Sequence, residues 1–491
     1  MLWLALQFPH LGLEVWEQTG SAAVAGRLRP TVLVEQNRVV LCNEPARTSG
    51  IQPGASLATA HSISGDLTHH QRDADRERAR LRFLGAILYR FSAQVSLEPP
   101  DALVLEIGGS LELFGDPAAL AREARDLCRS LGHEVRWQLA ATPGAALAMA
   151  AAGVARLTDV PLIHARLPDG DRHLERLANM GLNTLAPLLE LPDVELGRRF
   201  GPALVDHLAR LAGRIPDPKR FLEPDARFDQ SLYLLEPIRD KAALLAGAGP
   251  GSGPGSGPME RLLADLEQWL ISHQLGAEQL IWTFSTHAGD EQVCMPVTFA
   301  RALQSRQAFL NVIRLRLERV SLPEDVLSLR LEARHLVPWL GGSRQLFGSF
   351  SGQPVEGGLT AAEVGELIDQ LRARLGNGAC SRIATNDQHA PESAWHTVPV
   401  STSGSLTRSH ADRHADRPSD RPSDRPLWLF DPPRPTKRDH LELLKGPERI
   451  QTEWWQLPVR RDYYVANLDN GARCWAFVDG ENRWYLHGYF G

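Results

Sequence analysis

Cysteine is scarce in this chain, with five in 491 residues: Cys42, Cys128, Cys294, Cys380 and Cys474. They are scattered and odd in number, and no Cys-x-x-Cys or Cys/His spacing occurs, so neither a disulfide framework nor a zinc site is indicated. No apolar run reaches the ~20 residues that a membrane span requires. The N-terminus lacks the basic start and cleavage site of a secretory signal. These absences lead to the expectation of a reduced, soluble, cytoplasmic protein. A basic excess is missing as well. With a net charge of −6, any contact with nucleic acid has to come from local patches. What is present is 43% hydrophobic and 23% charged residues, enough for several packed domains and against global disorder.

Short β-branched runs alternate with helical patterns from Met1 to about Ser110. Thr31–Glu35 and Val39–Cys42 read as two strands around Asn37. Asp73–Phe91 has helical periodicity, with Leu81, Leu84, Leu88 and Phe91 on one stripe. Pro117–Leu131 and Gly144–Leu157 read as two more helices, and Met259–Leu275 as an amphipathic one. Gly247–Pro258 is a Gly/Pro/Ser-rich loop that cannot pack a core. Residues 401–426 end in an Asp-Arg-Pro repeat whose alternating charges describe a solvated, disordered tether. Beyond it, Tyr463–Ala466, Cys474–Val478 and Trp484–His487 alternate as strands joined at Asn470-Gly471 and Asp479-Gly480, which predicts a three-stranded meander.

Two segments carry the chemistry. The first is Leu4-Ala5-Leu6-Gln7-Phe8 followed by Glu14; the second is Pro99-Pro100-Asp101-Ala102 followed by Leu103–Ser110. They resemble the two metal-binding elements of Y-family (translesion) DNA polymerases. Matching Glu14 to that family's glutamate puts Ala5 and Gln7 at aspartate positions. In the second element Asp101 survives, and Ala102 stands where the family has a glutamate. In-line phosphoryl transfer needs hard cations held by several carboxylates. One aspartate, one amide and two methyl groups do not supply that set. Glu98 and Glu106 are nearby carboxylates, but strand alternation turns Glu106 to the face opposite Asp101.

The resemblance narrows to the ImuB family of bacterial Y-family homologues. It rests on the altered palm positions, Asn43–Arg47 before Gly50-Ile51, Ile107–Ser110 before Leu113–Gly115, and Asp387–Glu392 before Trp395. At the end it rests on Gly446–Ile450, Trp454-Trp455, Arg461–Tyr464 and Trp484–Gly488. The implied fold is a multidomain α+β chain with polymerase-like palm, fingers, thumb and little finger, plus a small β-rich C-terminal module on a disordered tether. The expected division is palm and fingers at 1–165, thumb at 166–232, little finger at 233–340, a connecting region at 341–400, the tether at 401–426 and the module at 427–491. The implied role is a non-catalytic organiser of error-prone synthesis after DNA damage, nucleoid-associated, without cofactor or metal. The implied partners are the sliding clamp, an error-prone C-family DNA polymerase, ImuA and primer-template DNA, with no membrane. A working translesion polymerase with unusual metal ligands is the alternative, and a DNA-structure-binding protein with no clamp role is a third reading.

Candidate sites follow, each beside its plainer explanation. Gln345-Leu346-Phe347-Gly348-Ser349-Phe350 resembles the bacterial clamp-binding motif, with Gln345, Leu346, Phe347 and Phe350 as anchors; the plainer reading is a loop packed on its own domain. Leu427–Phe430 is a poorer match because it lacks the glutamine. Gly181, between Leu177 and Leu185, marks a helix–hairpin–helix that would offer amides to a DNA phosphate, or simply a turn. Arg314, Arg316, Arg319, Arg330 and Arg334 would track phosphates, or form solvated faces. Trp454, Trp455, Tyr463 and Trp484 are candidates for partner docking, or core. Arg47 occupies the family's triphosphate-binding arginine position, yet Glu44 replaces the companion tyrosine and favours a structural role. His389 with Asp387 and Glu392 reads as a turn or cap.

Overall fold

Trp3–Gln7 is the strand expected of the opening segment, and all five of its residues are buried. The computed structural model describes residues 1–17, 23–24, 27–246, 257–286, 292–339, 361–386, 390–399, 425–426, 428–452 and 459–490. They belong to two compact units, Met1–Gly358 and Leu359–Gly491.

In the first unit, Trp3–Gln7 lies inside a four-stranded antiparallel sheet ordered Val95–Glu98, Ala102–Glu106, Trp3–Gln7, Arg136–Ala140. Burial on both faces explains why Leu4-Ala5-Leu6 reads as a continuous apolar run. Leu97 and Leu103 share one face with helix Ala74–Leu88, which comes close because Gly85 has no side chain; a Cβ there would sit 2.9 Å from Leu222 and 3.3 Å from Leu97. Asp73 caps that helix by accepting from the amides of Asp75 and Arg76. The alanine-rich helix Pro143–Ala152 packs on the other face and stops at Gly153, whose φ of 70° ends it short of the expected Leu157.

Thr31–Glu35 and Arg38–Cys42 pair as a hairpin across Gln36 and Asn37, both at positive φ, and Thr68–Gln71 joins in parallel. Helices Gly170–Ala178, Leu185–Glu190, Asp193–Phe200 and Pro202–Leu211 surround a core that includes Leu177, Leu185, Leu188, Leu196, Leu204 and Leu208. A second four-stranded sheet is ordered Asp229–Ile238, Val326–Pro338, Leu275–Ser285, Gln292–Leu303. Trp282, Phe284, Leu329 and Leu331 are buried on one of its faces with helices Pro258–His273 and Arg306–Arg319.

The second unit contains helix Ala361–Leu375, the hairpin Ser381–Thr385/Trp395–Pro399 and a five-stranded antiparallel sheet. The expected three-stranded meander is its centre. Trp428–Thr436 is added beside Trp484–Tyr489, and Leu441–Thr452 beside Val459–Leu468. The extra strands answer a physical need, because a three-stranded sheet is too small to bury two apolar faces. One face carries Leu441, Ala466, Cys474, Ala476 and Leu486; the other carries Ile450, Tyr463, Val465, Trp475 and Phe477. The outermost strand Trp428–Thr436 contains Pro432, Pro433 and Pro435. Residues 247–256 of the Gly/Pro/Ser loop and 401–424 of the expected tether lie outside the described residues.

Candidate functional site

The metal-site positions meet on one face of the first sheet, and they do not fit a metal. Ala5 is opposite Val104, Gln7 is opposite Ala102, and the amide of Phe8 donates to the carbonyl of Asp101 at 2.8 Å. Ala5 and Ala102 have no solvent exposure and pack with Trp3, Val104, Ala146, Leu147 and Ala150. Methyl groups thus fill the place where charged oxygens would converge. Gln7 is buried, and its Oε1 has no hydrogen-bond partner among the described residues. A neutral amide oxygen of this kind is a weak ligand for a doubly charged ion.

The remaining carboxylates are engaged elsewhere. Asp101 pairs with Arg166 at 3.4 Å. Glu106 Oε1 accepts from the amides of Leu2 and Gly108, both at 3.1 Å, which ties down the start of the chain. Glu98 pairs with Lys219 at 3.0 Å. Among the described residues no group of three or more His, Cys, Asp or Glu side chains is placed to hold a metal ion.

Glu14, the position that anchors the motif, sits in a buried polar chain. Its Oε1 accepts from the amide of Glu134 at 2.7 Å, and its Oε2 lies 2.7 Å from His133 Nδ1. His133 Nε2 accepts from Arg80 Nε at 2.8 Å, so the ring proton resides on Nδ1 and is donated to Glu14. Arg80 then grips Asp265 through two bonds of 2.6 and 3.1 Å. Burial raises the Glu14 carboxyl to about 7, and burial with the neighbouring Arg80 pushes His133 well below the usual histidine value. The sequence reading missed His133, Arg80 and Asp265. Helix Pro258–His273, which carries Asp265, is thereby joined to helix Ala74–Leu88, which carries Arg80.

Beside Asp101, the cleft lined by Phe8, Gly12, Val40, Leu41, Arg72 and Glu77 encloses about 150 Å³. That is below the ~300 Å³ at which small-molecule pockets usually begin. Arg72 is held there by Glu77 and Glu35. Arg47 lies on helix Glu44–Thr48 and forms an exposed pair with Glu44 at 3.5 Å.

The arginines proposed for DNA contact are divided between two faces. Arg314, Arg316 and Arg319 are on helix Arg306–Arg319, which covers one face of the second sheet. Arg330 and Arg334 are on strand Val326–Pro338 and project from the opposite face, out of phase with buried Leu329 and Leu331. Arg314 pairs with Glu260, Arg330 with Asp229 and Arg334 with Glu332. Gly181 takes a φ of 77°, a conformation that favours glycine. Its own amide and that of Leu182 bond within the turn, and that of Leu185 bonds to Val160, so these three donors are already used.

Two of the aromatic candidates can be placed. Tyr463 is only 1% exposed; it stacks on Trp475 at 4.0 Å and its hydroxyl is 2.7 Å from His487 Nδ1. It is a core residue, not the docking surface expected of it, because it is enclosed in an apolar cluster with Ile450, Val465, Trp475 and Phe477, joined by Leu429, Tyr485 and Phe490. Trp484 is half-buried, beside Tyr464 and beneath Arg438. Glu392 pairs with Arg461 at 2.7 Å. Trp454, Trp455, Asp387, His389 and the Gln345–Phe350 motif lie outside the described residues.

Residues 22–155 match the impB/mucB/samB family. Protein ImuB of Caulobacter vibrioides (strain NA1000 / CB15N) is 26% identical over 480 residues, covering 90% of this chain and 100% of the relative. Protein ImuB of strain ATCC 19089 / CIP 103742 / CB 15 of the same species matches with the same values. Among solved structures, an insertion ternary complex of Dbh DNA polymerase is similar at 15% identity with a TM-score of 0.38, covering 68% of this chain and 98% of that one. DinB from Sulfolobus solfataricus is similar at 14% identity with a TM-score of 0.36, covering 68% and 98%. The chain is thus similar to ImuB over most of its length, and the impB/mucB/samB match falls within the first unit.

Proposed function

We propose that this chain is a catalytically silent, polymerase-shaped adaptor in damage-induced translesion DNA synthesis. The observation that carries the reading is the pairing of Gln7 with Ala102 beside Ala5, with both methyl groups sealed in an apolar cluster. In-line nucleotidyl transfer has no bridging ions there to stabilise its developing charge. Primer-template DNA would lie along the face bearing Arg330 and Arg334 and near the Gly181 turn. The polymerising centre would belong to an error-prone C-family polymerase held nearby, with ImuA as a further partner. Gln345, Leu346, Phe347 and Phe350 would engage the sliding clamp, and Trp454, Trp455 and Trp484 remain candidates for partner contact. Similarity to ImuB across 90% of the chain supports this reading.

Primer extension by the purified chain, with magnesium or manganese and all four deoxynucleotides, is the test. The expected result is retained primer-template binding without extension. Extension that disappears in Asp101→Ala would overturn the reading in favour of an active polymerase. A clamp pull-down with residues 345–350 deleted separates the adaptor from a plain DNA binder. Clamp binding is lost and DNA binding kept if the motif is the anchor.

A further inference from the structure

Glu98 and Asp217 are largely buried acidic groups beside the altered positions, and burial demands a counter-charge for them. We propose that Lys219 is a covalently tethered cation that neutralises the acidic pair Glu98 and Asp217 beside the altered positions and keeps a divalent ion from them. The inference rests on the adaptor reading, and it concerns a side chain that the resemblance does not touch.

Lys219 Nζ lies 3.0 Å from Glu98 Oε1 and 3.6 Å from Asp217 Oδ2. The three side chains are 15%, 16% and 18% exposed, so this is a largely desolvated cluster and not a surface pair. Glu98 is in register with Ala102, which is in register with Gln7, so Lys219 meets the carboxylate one strand away from the altered position. The segment bearing Lys219 is fixed on the sheet. The Leu222 amide donates to the Val95 carbonyl at 2.7 Å, and Phe221 stacks on Trp3 with ring centroids 6.5 Å apart.

The surroundings are cationic. A cavity of about 630 Å³ is lined by Glu98, Asp217 and Lys219, with Arg166, Arg210 and His207. Arg166 neutralises Asp101 as Lys219 neutralises Glu98. A divalent ion entering here would have to take both carboxylates from Lys219 and leave a largely buried ammonium without its counter-charges, beside two guanidinium groups. Stranding a buried charge in this way is strongly unfavourable. The ammonium satisfies the same oxygens without a hydration shell to shed.

Lys219→Met keeps most of the stem's volume and removes the charge. The measurement is Mn²⁺ binding by electron paramagnetic resonance, with thermal melting of the full chain in parallel. Wild type is expected neither to bind Mn²⁺ at this site nor to gain melting temperature from it. Lys219→Met is expected to melt lower without metal, to bind about one Mn²⁺ per chain and to recover melting temperature on its addition. Lys219→Met with Glu98→Gln is expected to lose both effects. Lys219→Gln serves the same comparison should the methionine variant not fold. Wild-type Mn²⁺ binding that vanishes in Glu98→Gln would overturn the proposal, as would a folded Lys219→Met that takes up no Mn²⁺. A wild-type chain that extends primers defeats the adaptor reading itself. An inert wild type whose Lys219→Met binds no Mn²⁺ defeats only this inference.

Discussion

Glu14 accepts a 2.7 Å hydrogen bond from His133, 119 residues further along the chain, while His133 receives one from Arg80. The glutamate that marks the polymerase-like motif therefore serves here as the end of a buried polar chain leading to Asp265. Its chemistry is structural, and it sets the first expectation.

The Glu14 carboxyl is raised from the ordinary 4.5 to about 7 by burial. Between those values the folded chain holds a proton that the unfolded chain has released, so stability falls as pH rises through this window and levels off above it. His133 is shifted the opposite way and weakens the fold as pH drops below about 6.5, but it does so in wild type and variant alike. Wild type should lose about 2 kcal/mol relative to Glu14→Gln between pH 5 and pH 8. Urea unfolding of both proteins at several pH values checks this; a pH-independent difference would show that Glu14 does not titrate in that range.

Arg80→Ala should be among the more damaging single changes in the first unit. It removes two bonds to Asp265 and the donor to His133, leaving a carboxylate that is about nine-tenths buried without its partner. The expected loss is about 3 kcal/mol, read as a lower midpoint in urea. A loss within a few tenths of a kcal/mol, the level of an exposed pair, would show that the contact contributes little.

Placing a charge in the apolar cluster around Ala5 should destabilise the first sheet without conferring primer extension. Ala5→Asp places a carboxylate among Trp3, Ala102, Val104 and Ala150, where nothing is positioned to balance it. The expected cost is about 3 kcal/mol or more, with no primer extension. A stable Ala5→Asp chain that extends primers would mean the apolar packing is far more yielding than described.

For DNA affinity, the two sets of arginines should separate. Arg330→Ala with Arg334→Ala should weaken binding to all sequences alike and reduce the salt slope by up to about 2, less whatever Asp229 and Glu332 already neutralise. Arg314→Ala with Arg316→Ala lies on the opposite face and should change little. Fluorescence anisotropy across a salt series distinguishes them, and equal losses in both pairs would place DNA differently.

The altered positions were legible in the sequence because each lies within a short motif, although the two strands that carry them pair across 95 residues, Gln7 with Ala102. Ala5, Gln7 and Ala102 could be placed by counting from Glu14 and Asp101. Glu106 is in phase with Ala102 and Val104 on its strand, and the Leu2 and Gly108 amides, not alternation, hold it apart. The Glu14–His133–Arg80–Asp265 chain was not legible, since Arg80 and Asp265 are 185 residues apart and nothing local announces their meeting. Tyr463 was misread for another reason. Alternation shows which residues share a face of a sheet, but not whether a further strand or layer covers that face. The arginines of helix Arg306–Arg319 and strand Val326–Pro338 show the same limit, since helix and strand periodicity each place them correctly while only the tertiary stacking reveals that they point away from one another.

The prolines of strand Trp428–Thr436 have a consequence for life in a crowd. This outermost strand carries three residues without amide hydrogens, at Pro432, Pro433 and Pro435, so it is a poor template for another chain to extend. In the adaptor role proposed above, the chain would meet high local concentrations of itself and of its partners. The interrupted edge lets the sheet be crowded without seeding a continuous ladder, and keeps association dependent on side chains chosen for it.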